Sequence, residues 1–317
     1  MTKSVRDKQI QDFRKINQKE QFVLKVSMYS ALILAIFGIA FGIWVKSMAV
    51  VFDGFVALVS VGLGALSVLT SRYIYKEDDE IFQYGYGRFE PMVNLFKSLI
   101  LVFVCIYAFI NALHSLLNGG YEVALGGAVV YSVCVFIFCA VLFAYTHFYT
   151  KRLGSDLIRV DNAEWRIDCV LYLGALVAFG AIWLFSFWEF EWQKHFAFYI
   201  DPALLALLSL MLIFTPLRIA VGNFKDLIMV APLELDEKVT RIMEDLSVEF
   251  GFSDYDTHVA KSGRFYMVEV NILMQKNFQV KTLSEFDSIR ERIEKALEIP
   301  SYKIWLSVSF TADKKWL

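Results

Sequence analysis

Four acidic side chains stand where an apolar sequence makes them expensive: Asp53, Asp161, Glu164 and Asp168. Asp53 lies in Ser47-Met48-Ala49-Val50-Val51-Phe52-Asp53-Gly54-Phe55, a few residues into a long hydrophobic run. An Asp at the centre of a membrane helix costs ~2.5–3.5 kcal/mol on insertion scales. A metal or a proton path would offset that, and so would an interhelical hydrogen bond. The second group is Asp161-Asn162-Ala163-Glu164-Trp165-Arg166-Ile167-Asp168. Glu164 and Asp168 are four apart and Asp161 is three before Glu164, so on a helix all three carboxylates share one face. Like charges at membrane depth repel, so one is protonated or a cation sits between them. Arg166 could neutralise one by a salt bridge, but it points about 200° from Glu164 on a helix of 3.6 residues per turn.

Other polar candidates are weaker. Lys97 is isolated in a third apolar run with Asn94 one turn before it. Snorkelling to the cytoplasmic interface is expected of such a lysine, and balancing the acidic cluster is the alternative. His114, His147, His195 and His258 are scattered without ligand spacing. Cys105, Cys134, Cys139 and Cys169 all fall in apolar runs, which is neither a disulfide framework nor a zinc spacing. They read as small buried hydrophobes. A nucleophile elbow, a phosphate loop and a zinc-protease motif are all missing. An enzyme is therefore not expected, nor is a nucleic-acid partner.

The acids that could hold an ion, Asp53, Asp161, Glu164 and Asp168, offer oxygen alone. Oxygen sites suit Mn²⁺, Mg²⁺ and, less strictly, Fe²⁺, whereas Zn²⁺ favours nitrogen and sulfur. Mn²⁺ or Fe²⁺ is accordingly favoured over Zn²⁺.

Long apolar elements must position these groups. Of 317 residues, 57% are hydrophobic, above the 45–50% or so of soluble domains, and the mean hydropathy is +0.50. A spanning helix needs about 20 mostly apolar residues. Six windows qualify, at 22–45, 48–73, 92–117, 123–148, 163–188 and 198–221. Between 92 and 147 only Lys97 and Glu122 are ionised. Lys and Arg crowd the N-terminal tail, the 2–3 loop (Arg72, Lys76, Arg88) and the 4–5 loop (Lys151, Arg152, Arg159), against Lys46 and Lys194 opposite. Both termini are therefore expected in the cytoplasm, with Trp44, Trp188 and Trp192 near the outer interface. The first 20 residues are polar, and no cleavable secretory signal is expected.

Beyond about residue 224 the composition becomes that of a soluble domain. Val239, Ile242, Met243 and Leu246 mark one face of a helix over 236–249. Strands are expected at 255–260 and 265–274, joined by Lys261-Ser262-Gly263, with Val268, Val270 and Ile272 on the buried face. Thr282 and Glu285 form a capping-box pattern ahead of a helix carrying Leu283, Phe286, Ile289 and Ile293. A strand over 302–310 closes an αββαβ order. The expected fold is thus a membrane all-α domain of six transmembrane helices followed by a small cytoplasmic α/β open-faced sandwich. Its parts are a tail at 1–21, a six-span domain at 22–223 and the soluble domain at 224–317. About ninety residues make a marginal core, so that domain is expected to form a homodimer.

These residues resemble the cation diffusion facilitator family of divalent metal/proton antiporters. Ser47 to Ala57 is similar to its Ser-x-x-x-x-x-Asp-x-x-x-Asp signature, with Asp53 as the first acid. The stretch from Asp79 to Glu90 resembles its Asp…Gly-His-Gly-Lys-x-Glu loop, and Arg159-Val160-Asp161…Glu164…Asp168 its Arg-Ala-Asp-x-x-His-x-x-x-Asp motif. Asp201-Pro202 resembles the Asp-Pro that opens the sixth span. The resemblance implies a tetrahedral transport site made by spans two and five. Asp53 and Asp168 carry over, but Ala57 replaces the second acid and Glu164 the histidine. Phe82 and Tyr86 replace the loop histidines, and Tyr255 and Asn271 replace those of the C-terminal domain, so neither further metal site is carried over.

The resemblance further implies alternating access in the plasma (inner) membrane, proton counterflow and a homodimer. No permanent cofactor is implied; the divalent metal is the cargo. Asp161, Lys97 and Asn94 would lie just beyond the ion's direct contacts or on a proton path, and Arg88 would pair with Asp226 between the domains. The expected function is export of a divalent transition metal from the cytoplasm in exchange for protons, with Glu164 as proton carrier. The alternative is a transport-inactive, metal-responsive scaffold or sensor of the same fold.

Overall fold

The computed structural model describes residues 3–44, 48–74, 79–119, 125–186, 191–275 and 282–317. Lys46, Ser47, Lys76, Glu122 and Trp188 lie outside these ranges. The side chains of 3–15 and of Trp192, Lys194, His195, Asp201 and Tyr302 also lie outside the described set. The chain divides into two compact units, residues 1–222 and 223–317.

The first unit is helical. Its elements are α1 (Lys3–Trp44), α2 (Met48–Ile74), α3 (Phe89–Leu117), α4 (Leu125–Leu153), α5 (Asp156–Ser186) and α6 (Glu191–Leu212), and α7 (Phe214–Leu227) begins in this unit and ends in the second. Among the described residues, five stretches are long and apolar enough to cross a bilayer: Ile16–Trp44, Asp53–Ile74, Phe89–Leu117, Val129–Leu153 and Leu205–Leu227. The first starts six residues earlier than the apolar pattern suggests, because α1 runs unbroken through the polar tail into the span. The first half of α5 carries Asp156, Arg159, Asp161, Glu164, Arg166 and Asp168, and its apolar second half runs into side chains outside the described set. The last span straddles the boundary of α6 and α7. There Pro216 has no N–H to offer the Leu212 carbonyl, and the helix is interrupted at Ile213. Pro202 falls inside α6, just ahead of that last apolar stretch.

Packing places α5 between the others. One apolar cluster joins α1, α2, α4 and α5 through Leu34, Val50, Tyr131, Val135, Leu142 and Trp165. A second joins α3, α5 and α6 through Leu101, Cys105, Val160, Ile167 and Leu212. Polar ties pin the register of α5. Trp165 Nε1 donates to Ser27 Oγ at 2.8 Å, and Asn162 Nδ2 donates to Thr146 Oγ1 at 2.9 Å. Exposed Phe, Ile, Leu and Val side chains line the outer faces of α1 to α4, and Trp44 is exposed at the end of α1. Such surfaces are stable only against lipid. Cys105 and Cys139 are buried, but Cys134 is exposed on this outer face, contrary to the reading of all four as core residues.

The close approach of α1 and α2 rests on glycines. A Cβ on Gly54 would stand 2.6 Å from the Ile39 nitrogen, and one on Gly38 would stand 2.9 Å from the Gly54 Cα. Small residues let membrane helices meet backbone to backbone. Here they fix α2 at the residue beside Asp53.

The second unit is an α/β layer: α8 (Leu233–Phe250), β1 (Asp254–Ser262), β2 (Phe265–Leu273), α9 (Leu283–Leu297) and β3 (Ile304–Thr311). Sheet order is β1-β2-β3, with β1 antiparallel and β3 parallel to β2. The parallel pair needs a crossover, which α9 supplies. Val268, Val270 and Ile272 of β2 are fully buried against Val239, Met243 and Leu246 of α8 and Ile289, Ile293 and Leu297 of α9. The hairpin turns at Gly263, whose φ of 62° suits a residue without a Cβ. The capping box does not form. Thr282 is the N-cap of α9, but its side chain makes no cap hydrogen bond and pairs with Ser284 Oγ at 2.8 Å instead. At the other end of α9 Lys238 donates to the Leu297 carbonyl and to Glu298, both at 2.8 Å. That lysine holds the Glu298 carboxyl below its ordinary range.

Candidate transport site

Asp53 from α2 and Glu164 and Asp168 from α5 line one small cavity of about 60 Å³. Ala57 and Ser60 of α2 and Tyr172 of α5 line it too. The arrangement follows from helical spacing: 53, 57 and 60 form one stripe on α2, and 164, 168 and 172 form one on α5. All three carboxyl side chains are partly buried.

Asp53 is held by two phenols. Tyr131 of α4 donates to its Oδ2 at 2.5 Å, and Tyr172 donates to the same oxygen. The Tyr131 ring lies between α1 and α5, 5.7 Å from both Phe37 and Phe41 and 6.2 Å from Tyr172 by ring centroids. Ser60 and Glu164 face the same cavity from the two helices. Among the described residues no three Asp, Glu, His or Cys side chains stand close enough to hold one ion. The acids share a cavity without converging on a point.

Asp161 belongs to a neighbouring cluster. Lys97 of α3 is fully buried, forms an ion pair with Asp161, and donates to Ser67 Oγ of α2 at 2.9 Å. The expected snorkelling does not occur. The lysine turns inward, because at the α2–α3–α5 junction an aspartate and a hydroxyl replace its water. Asn94, one turn away, is fully buried with neither side-chain atom hydrogen-bonded. Arg166 points away from the acids and donates to Thr215 of α7.

The 79–88 loop has an aromatic centre. Asp79 Oδ1 accepts from the Ile81 and Phe82 amides at 3.1 and 2.9 Å, and its Oδ2 accepts from the Tyr86 hydroxyl at 2.5 Å. Phe82 and Tyr86 pack 4.7 Å apart by ring centroids, with Tyr73 and Phe89 beside Tyr86. In the second unit Asp226 forms a salt bridge with Lys261 at 2.8 Å. The expected Arg88–Asp226 pair would join the two units and remains a proposal.

Sequence reading missed Tyr131, Tyr172, Ser60 and Ser67; the Lys97–Asp161 pair is its second reading of Lys97, as a balance to the acids. Tyr172 and Ser60 were within reach, since each extends a stripe already marked by acids. Tyr131 carries no such signal.

Membrane-spanning helices enclosing an acidic cavity are an arrangement suited to passing a cation. The profile of the cation efflux transmembrane domain matches residues 24–228, and the chain belongs to the cation efflux family. It is 20% identical over 243 residues to the cation-efflux pump FieF of Shigella boydii serotype 18, covering 76% of this chain and 75% of that one. The same pump of Escherichia coli strain K12 / DH10B matches with equal identity and coverage.

Proposed function

We propose that this chain exports a divalent transition-metal cation from the cytoplasm in exchange for protons, with Mn²⁺ or Fe²⁺ favoured over Zn²⁺, Co²⁺ and Cd²⁺. The observation that carries this reading is the shared cavity of Asp53, Glu164 and Asp168. Its donors are all oxygen, which suits harder ions. Ala57 contributes no ligand, and the Ser60 hydroxyl or water takes the fourth place, as such ions accept. A small inward movement of α2 and α5 would bring the acids onto one ion. Tyr131 and Tyr172 occupy one oxygen of Asp53 and leave the other for the metal. Glu164 carries the exchanged proton, because a carboxyl in a crowded acidic cavity holds one until a cation displaces it.

The chain works in the plasma (inner) membrane as a homodimer through its C-terminal domain, with both termini in the cytoplasm. Arg88 pairs with Asp226 as an interdomain salt bridge. The test is uptake of Mn²⁺, Fe²⁺, Zn²⁺, Co²⁺ and Mg²⁺ into proteoliposomes under a pH gradient. Mn²⁺ or Fe²⁺ should be fastest, Asp53→Ala should abolish uptake, and Glu164→Gln should uncouple it from the gradient. The second reading, a transport-inactive metal-responsive scaffold, is favoured by Ala57 and by the hold of two tyrosines on Asp53. It predicts no flux of any ion, with metal-dependent dimerisation instead.

A further inference from the structure

The Lys97 junction is not used by the site as described, yet it abuts it. Asp161, Glu164 and Asp168 form a single stripe on α5, and Lys97 stands at one end of it, bonded to Asp161. Two features mark this pair as incompletely satisfied. The ammonium has three N–H bonds, and its acceptors are Asp161 and Ser67. Asp161 Oδ2 is buried with no hydrogen-bond partner, and both polar atoms of Asn94, one turn from Lys97, are likewise unpartnered. A buried charge pair is stable when all its lone pairs and protons are matched; here several are not. Glu164 stands one turn beyond Asp161 on the same face of α5. The four-carbon stem of Lys97 is flexible and carries a compact charge.

We propose that Lys97 is a specificity-determining residue of the transport site: a tethered monovalent cation that fills the Asp161 end of the carboxylate stripe and so excludes free singly charged ions. The proposal rests on the transport reading given above. Tethering gives the ammonium a standing local concentration that a freely diffusing ion must match from solution. Potassium or sodium brings one charge, the same as the ammonium, and gains nothing over it. A divalent ion brings twice the charge and twice the attraction at equal distance, so it displaces the lysine and moves on to Glu164. The free oxygen of Asp161 is where the incoming ion makes its first contact while the other still holds Lys97.

The experiment compares Mn²⁺ uptake into proteoliposomes of the full chain with either potassium or choline as the bulk cation. The native chain should be indifferent to the choice. Lys97→Gln should be slowed by potassium by about fivefold or more, the scale of ordinary coupling between sites, and Lys97→Arg should restore indifference. Adding Asp161→Asn to Lys97→Gln should abolish the potassium effect, since the ion then has nowhere to lodge. Ser67→Ala loosens the ammonium without uncovering a charge and should shift in the same direction, which decides the matter if Lys97→Gln does not fold. Equal uptake in both salts for Lys97→Gln and Ser67→Ala overturns the proposal. So does a potassium effect in Lys97→Arg as large as in Lys97→Gln. Asp168→Asn separates the two levels: it should stop uptake in both salts, and continued uptake would defeat the transport site itself.

Discussion

Asp53 illustrates how a single carboxylate is prepared for a task by what surrounds it. Tyr131 and Tyr172 both donate to its Oδ2, which fixes the direction of the remaining oxygen. Hydrogen bonds to charged groups are worth about 1.5–3 kcal/mol each, and loss of such an outer partner commonly weakens a metal site about 10–100-fold. Tyr172→Phe should therefore raise the dissociation constant for Mn²⁺ by at least about tenfold in calorimetric titration of the detergent-solubilised protein. An unchanged constant would mean the phenols hold the helices together and leave the ion alone.

At the level of the element, the contact between α1 and α2 decides where Asp53 stands. A methyl group on Gly54 meets the Ile39 backbone at 2.6 Å, and backbone cannot swing aside as a flexible side chain can. Gly54→Ala should cost about 1–3 kcal/mol through overpacking, read as a lower thermal unfolding midpoint in detergent, with transport reduced alongside. Gly62 lies on the same helix with nothing within 4 Å of an added Cβ. There the same substitution should be neutral or gain up to about 1 kcal/mol from helix propensity. The contrast between the two measures packing against propensity on one helix.

For the whole molecule, periodicity made most of the architecture legible. Apolar runs of spanning length gave the helices of the first unit, and alternation in Val268, Val270 and Ile272 gave the central strand of the second. The acid stripes were legible for the same reason, since residues three and four apart share a face whatever the tertiary structure. What stayed hidden was convergence. The tyrosines of Asp53 lie 78 and 119 positions away, and nothing in a local pattern couples such distances. Of the two readings of Lys97, snorkelling is the solution open to an isolated helix and ignores partners on other helices; the pair with Asp161 agrees with the other. The capping box at Thr282 failed for a smaller reason, a nearer hydroxyl on Ser284.

The burial of Lys97 also bears on how the chain is made. Asp161 follows it by 64 residues, roughly 3–13 s of synthesis at about 5–20 residues per second. Through that interval α3 sits in the membrane with an ammonium that has no counter-charge, and it keeps to the interface or to the insertion machinery until α5 arrives. A chain stopped after α4 should accordingly be poorly integrated and quickly degraded in cells, and Lys97→Leu in that shortened chain should restore its level. If both shortened chains accumulate alike, α3 settles without its partner. Otherwise the lysine acts as a timer on assembly, keeping the third helix from committing to lipid before the fifth has been made.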